Sequence, residues 1–130
     1  MQEFYGKDLA KYKIERAYEE QQTAELLFAN DKLKAANNRA YYAIYFAITA
    51  VLCLEPIAFK KHKDTIAYFN QHYVHTDKFP KELGRAISKA AKIRHASDYD
   101  DFYIASREET EKQIQTAGDL IELVKKYIAE

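Results

Sequence analysis

The chain has 130 residues, 48% of them hydrophobic, and contains only three glycines and two prolines. This length suits one domain with a buried core, and so few turn residues favour long helices and argue against a many-turned β fold. Basic and acidic residues number 20 each, so the net charge of zero indicates no particular class of binding partner. A single cysteine cannot form an internal disulfide. We therefore expect one all-α domain over residues 1–130.

Hydrophobic periodicity predicts five helices. The predicted helices cover roughly residues 7–29, 32–54, 61–75 and 81–96, and a fifth begins at 106. Pro56 should end the second helix, because proline biases the residue before it away from the α region. Ser106 and Glu109 have the capping-box spacing that starts the fifth. Five antiparallel helices with short connections predict an up-and-down bundle.

The second predicted helix should be the central one. Residues 40–54 are apolar apart from Thr49, so this helix needs cover on several sides. The run is shorter than the ~20 residues that cross a bilayer, and the N-terminus has no apolar signal segment, so we expect a cytoplasmic protein without membrane association. Since four neighbouring helices in so small a chain should not cover this surface, we also expect a homodimer.

One stripe of the second helix is polar and aromatic. Asn38, Tyr42, Tyr45 and Thr49 follow one another at helical spacing. Tyrosines that pack in a core with satisfied hydroxyls would produce such a stripe, and so would a ligand-binding wall. Both interpretations stay open at this point.

Arg94 falls on the apolar stripe of the fourth predicted helix, at helical spacing from Ala90 and Ile87. A buried guanidinium needs a partner. Asp98 lies one turn further on, and Tyr99 follows it directly. We therefore expect Arg94 to be largely buried and paired with Asp98, either as a structural clamp or as part of a site.

Charge is distributed unevenly along the chain. The net charge is −3, +8 and −5 over residues 1–31, 32–97 and 98–130. Such asymmetry either attracts helices to one another or forms a phosphate-facing patch. Lys61 and His62 belong to a basic cluster at the start of the third helix, which would suit a bound anion or be a solvated charge run.

No metal ion or other cofactor is expected. His72 and His75 stand three residues apart, a spacing that suits two ligands of one ion, but no third strong ligand follows at a fixed spacing. The chain also lacks a glycine-rich dinucleotide or phosphate loop and a nucleophile elbow.

Three segments together resemble the HEPN fold (higher eukaryotes and prokaryotes nucleotide-binding), in its compact single-domain prokaryotic form. They are "NNRAYYAIYFAI" (residues 37–48), "KKHKDTIAYFNQ" (60–71) and "RHASDYD" (94–100). The resemblance covers about residues 7–128 and implies a helical bundle that usually dimerises. Many members are metal-independent ribonucleases or toxins, and some are paired with a minimal nucleotidyltransferase antitoxin.

The resemblance also implies site residues. The family's catalytic pair is an arginine followed four to six residues later by a histidine, and Arg94 matches the arginine. Tyr99 stands in the place of the histidine, and His95 is adjacent to Arg94. A phenol with a pKa near ~10 is a poor general base at neutral pH, so we expect any RNA cleavage to be weak there. Tyr99 and Tyr103 lie nearest the position where related toxins are modified with AMP.

Two functional hypotheses follow. In the first, a homodimer binds RNA or nucleotide phosphate in a cleft that contains Arg94, Asp98 and Tyr99, as the toxin-type member of a toxin–antitoxin or defence pair. Further ligand contacts would come from Asn38, Tyr42, Tyr45, Lys61, His62 and His95. In the alternative, Arg94 and Asp98 form a structural pair in a non-catalytic protein–protein interaction module.

Overall fold

The structure, a computed structural model, describes residues 2–55 and 57–129, with side chains from residue 6 onward. Its helices are α1 (Gln2–Ala29), α2 (Leu33–Leu52), α3 (His62–Phe69), α4 (Lys81–Tyr99) and α5 (Arg107–Ala129). These described residues contain no strand, so the predicted all-α helical bundle is confirmed. The expected effect of Pro56 falls on a residue outside the described ranges.

The third predicted helix is divided in two. After α3 the chain continues as a π-helical turn, Asn70–Val74, in which the backbone N–H of His75 donates to the carbonyl of Asn70 at 2.8 Å. Single-turn π segments widen a helix locally and often occur at functional sites. Periodicity did not reveal this turn, because one extra residue does not remove the apolar stripe of the helix.

The α2 helix is central, as predicted, and contacts α1, α3, α4 and α5. Alanines line its contacts with its neighbours. On α2 the fully buried alanines are Ala36, Ala40, Ala43, Ala47 and Ala50, and on α1 they are Ala10, Ala17 and Ala24. Short side chains let helix axes approach closely, and burial of the larger apolar groups around them stabilises the fold.

The apolar surface of α2, from which we expected a dimer, is largely but not wholly covered within one chain. Ile44, Ile48 and Val51 are completely buried, whereas Tyr42, Tyr45 and Phe46 remain partly exposed. Large exposed hydrophobic side chains lie elsewhere, on α1 and near the α4–α5 connection: Leu9, Tyr12, Tyr18, Leu26, Tyr99, Phe102 and Ile104. Within the described ranges, no helix is both long and apolar enough to cross a membrane.

Glu55 fixes the connection between α2 and α3. Its carboxylate accepts a hydrogen bond from the Tyr68 hydroxyl at 3.0 Å and another from the Tyr73 hydroxyl. Burial and the contact with Glu55 raise the pKa of Tyr73 above its usual range, so this phenol keeps its proton and remains a donor. The first residue of α3, His62, is therefore held in place beside α2.

The close approach of α1 to the end of α2 can be tested at Gly6. A Cβ at this position would lie 2.6 Å from the main-chain oxygen of Cys53. Gly6→Ala should therefore lower the free energy of unfolding, measured in urea, by about 1–3 kcal/mol. At Gly118 in α5 the nearest atom is Gln21 Nε2, 3.3 Å from the added Cβ, and a shift of a few tenths of an ångström in this side chain would relieve the contact while it still donates to the Ile114 carbonyl. Gly118→Ala should leave stability unchanged or raise it by up to about 1 kcal/mol, and equal effects at both positions would contradict the packing described.

Candidate functional site

Arg94 lies on α4 at the surface facing α2. Its Nε is 3.1 Å from Asp98 Oδ2, so the expected pairing is present. The N–H does not point at the carboxylate, and among the described residues the one hydrogen bond of Arg94 goes from Nη2 to Tyr42 Oη at 3.3 Å. A quarter of the side chain is exposed (25%), so about three-quarters of Arg94 is buried, in agreement with the expectation.

Asp98 is held by a chain of polar contacts across three helices. The Asn38 amide nitrogen donates to both carboxylate oxygens of Asp98, at 3.1 and 3.3 Å. Arg39 donates to the Asn38 amide oxygen at 2.7 Å and pairs with Glu20 of α1 at 2.9 Å. The carboxylate that faces Arg94 is therefore oriented from α2 as well as from its own helix.

Aromatic rings form the wall beside Arg94. The guanidinium carbon lies 5.4 Å from the ring centre of Tyr41 and 5.7 Å from that of Tyr42, within the range of cation–π attraction. The His62 ring stacks on Tyr45 with centroids 3.8 Å apart. His62 Nδ1 also lies 2.9 Å from the Tyr41 hydroxyl, so α3 contributes a histidine to a wall built by α2.

The protonation of this wall follows from its surroundings. Burial lowers the pKa of His62, and the positive charge of Arg94 lowers it further. Burial raises the pKa of Tyr41 to about 12, although Arg94 opposes that shift. At neutral pH the imidazole is therefore uncharged and the phenol keeps its proton. We call this set of side chains the Arg94 cluster: Asn38, Tyr41, Tyr42, Tyr45, His62, Arg94 and Asp98.

The structure does not bring every expected site residue to the cluster. Tyr99 is 68% exposed, and its ring packs on His95 with centroids 4.8 Å apart. In an α-helix, residues four apart share a face, whereas Tyr99 is five residues from Arg94 and points about 140° away from it. Lys61 is exposed just before α3. Asn38, Tyr42, Tyr45, His62 and Asp98 do lie beside Arg94.

Sequence reasoning missed the parts that Tyr41 and Arg39 play. Tyr41 stands three residues after Asn38 and four before Tyr45, so it shares their face of α2, but the stripe through Tyr42 fits helical spacing equally well. The stretch "NNRAYY" carries the signal, because consecutive polar and aromatic residues on a central helix must point to more than one neighbour.

The chemistry of the cluster suits an anion better than a metal ion. Arg94 retains N–H donors beside a partly open surface, and the neighbouring phenols and imidazole offer further polar contacts. No group of three His, Cys, Asp or Glu side chains in the described part of the chain is arranged to hold a metal ion.

Comparison with known proteins identifies the family of this chain. A family model described as HEPN domain matches residues 10–127. A "UPF0332 protein" of Thermotoga maritima is 32% identical over 92% of this chain and 91% of its own length. Methanocaldococcus jannaschii has two similar proteins, "Putative toxin MJ0605" and "Putative toxin MJ0142". The first is 32% identical over 90% of this chain and 87% of its own length. The second is 27% identical over 95% of this chain and 84% of its own length.

The matched residues include most of α1 and α5, all of α2, α3 and α4, and every residue of the Arg94 cluster. The resemblance inferred from three short segments is therefore confirmed over most of the chain. The protein belongs to the HEPN domain family.

Proposed function

We propose that this HEPN protein is a cytoplasmic, toxin-type protein that binds RNA or nucleotide phosphate at the Arg94 cluster. The proposal rests on the hydrogen bonding of the Arg94 guanidinium. Its guanidinium has five N–H donors, and among the described residues one of them is used in a hydrogen bond. A guanidinium fork of this kind matches the geometry of a phosphate group.

The aromatic wall supports a ligand that also carries a base. Tyr42 and Tyr45 are partly exposed on the surface that Arg94 faces, and His62 lies flat against Tyr45. Flat aromatic faces stack on nucleobases with little regard to sequence, while arginine contacts the phosphate. The cluster therefore combines the two kinds of contact that single-stranded RNA or a nucleotide requires.

The toxin role rests on similarity. Two of the relatives carry the word toxin in their names, and both align with nine-tenths or more of this chain. In HEPN toxins of this type the expected partner is a minimal nucleotidyltransferase, which modifies a tyrosine near the cluster. Tyr99 is the more accessible candidate, because Tyr103 donates a hydrogen bond to Glu109 at 2.8 Å.

One observation favours the alternative of a structural pair in an interaction module. The contacts from Glu20 through Arg39, Asn38 and Asp98 join α1, α2 and α4, which is what a clamp between helices would do. A clamp alone predicts that replacing Arg94 changes stability without any effect on a ligand. The binding experiment below separates the two functions.

Arg94 should determine affinity for RNA. We expect wild-type protein to bind a short single-stranded RNA, with an affinity that falls as salt rises. Arg94→Ala should weaken binding about 10- to 100-fold, because a hydrogen bond to a charged group is worth ~1.5–3 kcal/mol. Arg94→Lys keeps the charge without the fork and should recover part of the loss.

Arg16→Ala is the matched control, since Arg16 lies on α1 and hydrogen-bonds Tyr12. Affinity should be nearly unchanged in this variant. Binding that is absent at low salt, or equal in the wild type and Arg94→Ala, would favour the interaction module.

His62 should report on the charge beside it. In the free protein, NMR titration should give His62 a pKa below its usual value of about 6.5, and Arg94→Ala should raise this pKa because one of its two causes is removed. A bound phosphate should raise it as well, since an anion favours the imidazolium. Since the pKa of His62 is lower in the folded than in the unfolded chain, the unfolded chain binds this proton at a higher pH. The free energy of unfolding should therefore fall as the pH drops from about 6.5 through the folded pKa. A His62 pKa that is identical in wild type and Arg94→Ala would separate His62 from the cluster.

We also propose that the protein is a homodimer, for a reason different from the one first considered. Phe102 is 92% exposed and Ile104 87%, and both follow shortly after Asp98 in the chain. Exposed apolar side chains grouped in this way mark a surface that another molecule covers. A second copy joined there would bring two Arg94 clusters towards one another.

Sedimentation should therefore show a dimer at micromolar concentration that Phe102→Ser converts to monomer. Leu26→Ser is the control, because Leu26 is also exposed (65%) but lies on α1. If Leu26→Ser dissociates the dimer and Phe102→Ser does not, the interface lies on α1. If the wild type is monomeric, the dimer proposal is wrong.

A further inference from the structure

A second charged surface lies on the opposite side of α4 from the Arg94 cluster. The π-helical turn and α4 enclose a groove of about 610 Å³. Its basic lining residues are His75, Lys81, Arg85, Lys89 and Lys92, and its lining contains no acidic side chain. None of the residues of the Arg94 cluster lines this groove.

The two surfaces are separate because of helix geometry. Arg94 comes two residues after Lys92, which turns it about 200° around the helix axis and advances it by only about 3 Å. The α4 helix therefore presents Arg94 to α2 and presents the row of basic residues to the groove.

Ion pairs in the described part of the chain leave the charges of the basic row uncompensated. Among the described residues, none of the groove's four Lys and Arg side chains takes part in an ion pair. Like charges at spacings of three and four residues repel one another, so an anion in the groove would relieve the repulsion. From Lys81 to Lys92 the helix rises ~16 Å, which is longer than one phosphate group and fits several in a row.

The α4 helix and the π-helical turn pack closely at Gly84. Gly84 has no side chain there, and a Cβ would lie 3.1 Å from Val74 Cγ1 and 3.3 Å from Asn70 Oδ1. The Asn70 oxygen is buried and accepts no hydrogen bond from the described residues. This oxygen lies beneath the groove surface, so a ligand in the groove would contact the exposed basic side chains and not Asn70.

We propose that this groove binds the phosphate backbone of an RNA strand, as a second contact on the other side of α4 from the Arg94 cluster. The inference rests on the proposed function, because it assigns the basic groove to the same RNA. It predicts that a mononucleotide needs the Arg94 cluster alone, whereas an oligonucleotide needs both surfaces.

The experiment compares AMP with a ten-residue oligouridine, each titrated over a range of salt. The groove variant is Arg85→Gln with Lys89→Gln. The control is Lys7→Gln with Lys11→Gln, which removes the same charge at the same spacing from exposed positions on α1. Circular dichroism confirms that both variants are folded.

The groove variant should bind oligouridine more weakly, with a slope of log affinity against log salt that is smaller by ~1.4, since each lost phosphate contact on a single strand contributes ~0.7. Its affinity for AMP should equal that of the wild type, and the control should match the wild type for both ligands. A groove variant that behaves like the control would overturn the proposal.

The two proposals can fail separately. If Arg94→Ala weakens the binding of both ligands while the groove variant matches its control, the groove does not bind RNA and the proposal for the Arg94 site is supported. If the groove variant loses affinity for oligouridine while Arg94→Ala has no effect on binding, the groove proposal is supported and the proposal for the Arg94 site is wrong. If the wild type binds an acidic polypeptide such as polyglutamate through Arg85 and Lys89 but does not bind RNA, the groove serves a protein and the proposal is wrong.

Discussion

The close packing of α2 against its neighbours is the constraint on which the rest of the molecule depends. Alanines on α1 and α2 are fully buried, and α2 contacts every other α-helix of the bundle. A helix surrounded in this way has little surface left for polar groups. Its residues in the Arg94 cluster, Asn38, Tyr41, Tyr42 and Tyr45, lie on the side that α3 and α4 approach. The site is where the central helix is least completely covered.

On the side of α2 that faces α3 and α4, the positive charge of Arg94 is only partly compensated and dominates the electrostatics. Asp98 faces Arg94 without accepting a well-aligned hydrogen bond from Nε, and Asn38 binds both oxygens of the same carboxylate. The guanidinium keeps donors free, and its charge disfavours protonation of His62. The result is a cation next to a neutral imidazole and the protonated phenol of Tyr41, an environment that favours an incoming anion and disfavours a cation or a metal ion.

The fold could be predicted from the sequence because it depends on periodicity. The long apolar run from residue 40 identified the central helix, and the spacing of Arg94 and Asp98 identified their contact. Three features could not be predicted. Tyr99 was assigned by its position in a motif, whereas helix rotation turns it away to solvent. Tyr41 and His62 meet only through tertiary packing, and the π-helical turn leaves the hydrophobic pattern intact. In each case a rotation or a long-range contact decides the outcome, and neither is encoded in local spacing.

The contacts of Glu55 have a consequence for the entropy of binding. Through Tyr68 they fix α3, which carries His62, and through Tyr73 they fix the π-helical turn, whose Asn70 and Val74 line the basic groove. Parts of both candidate surfaces are thus attached to one carboxylate and are ordered before any ligand arrives. A strand that touched both surfaces would meet a preorganised template, and the cost of immobilising these side chains would already be met by folding.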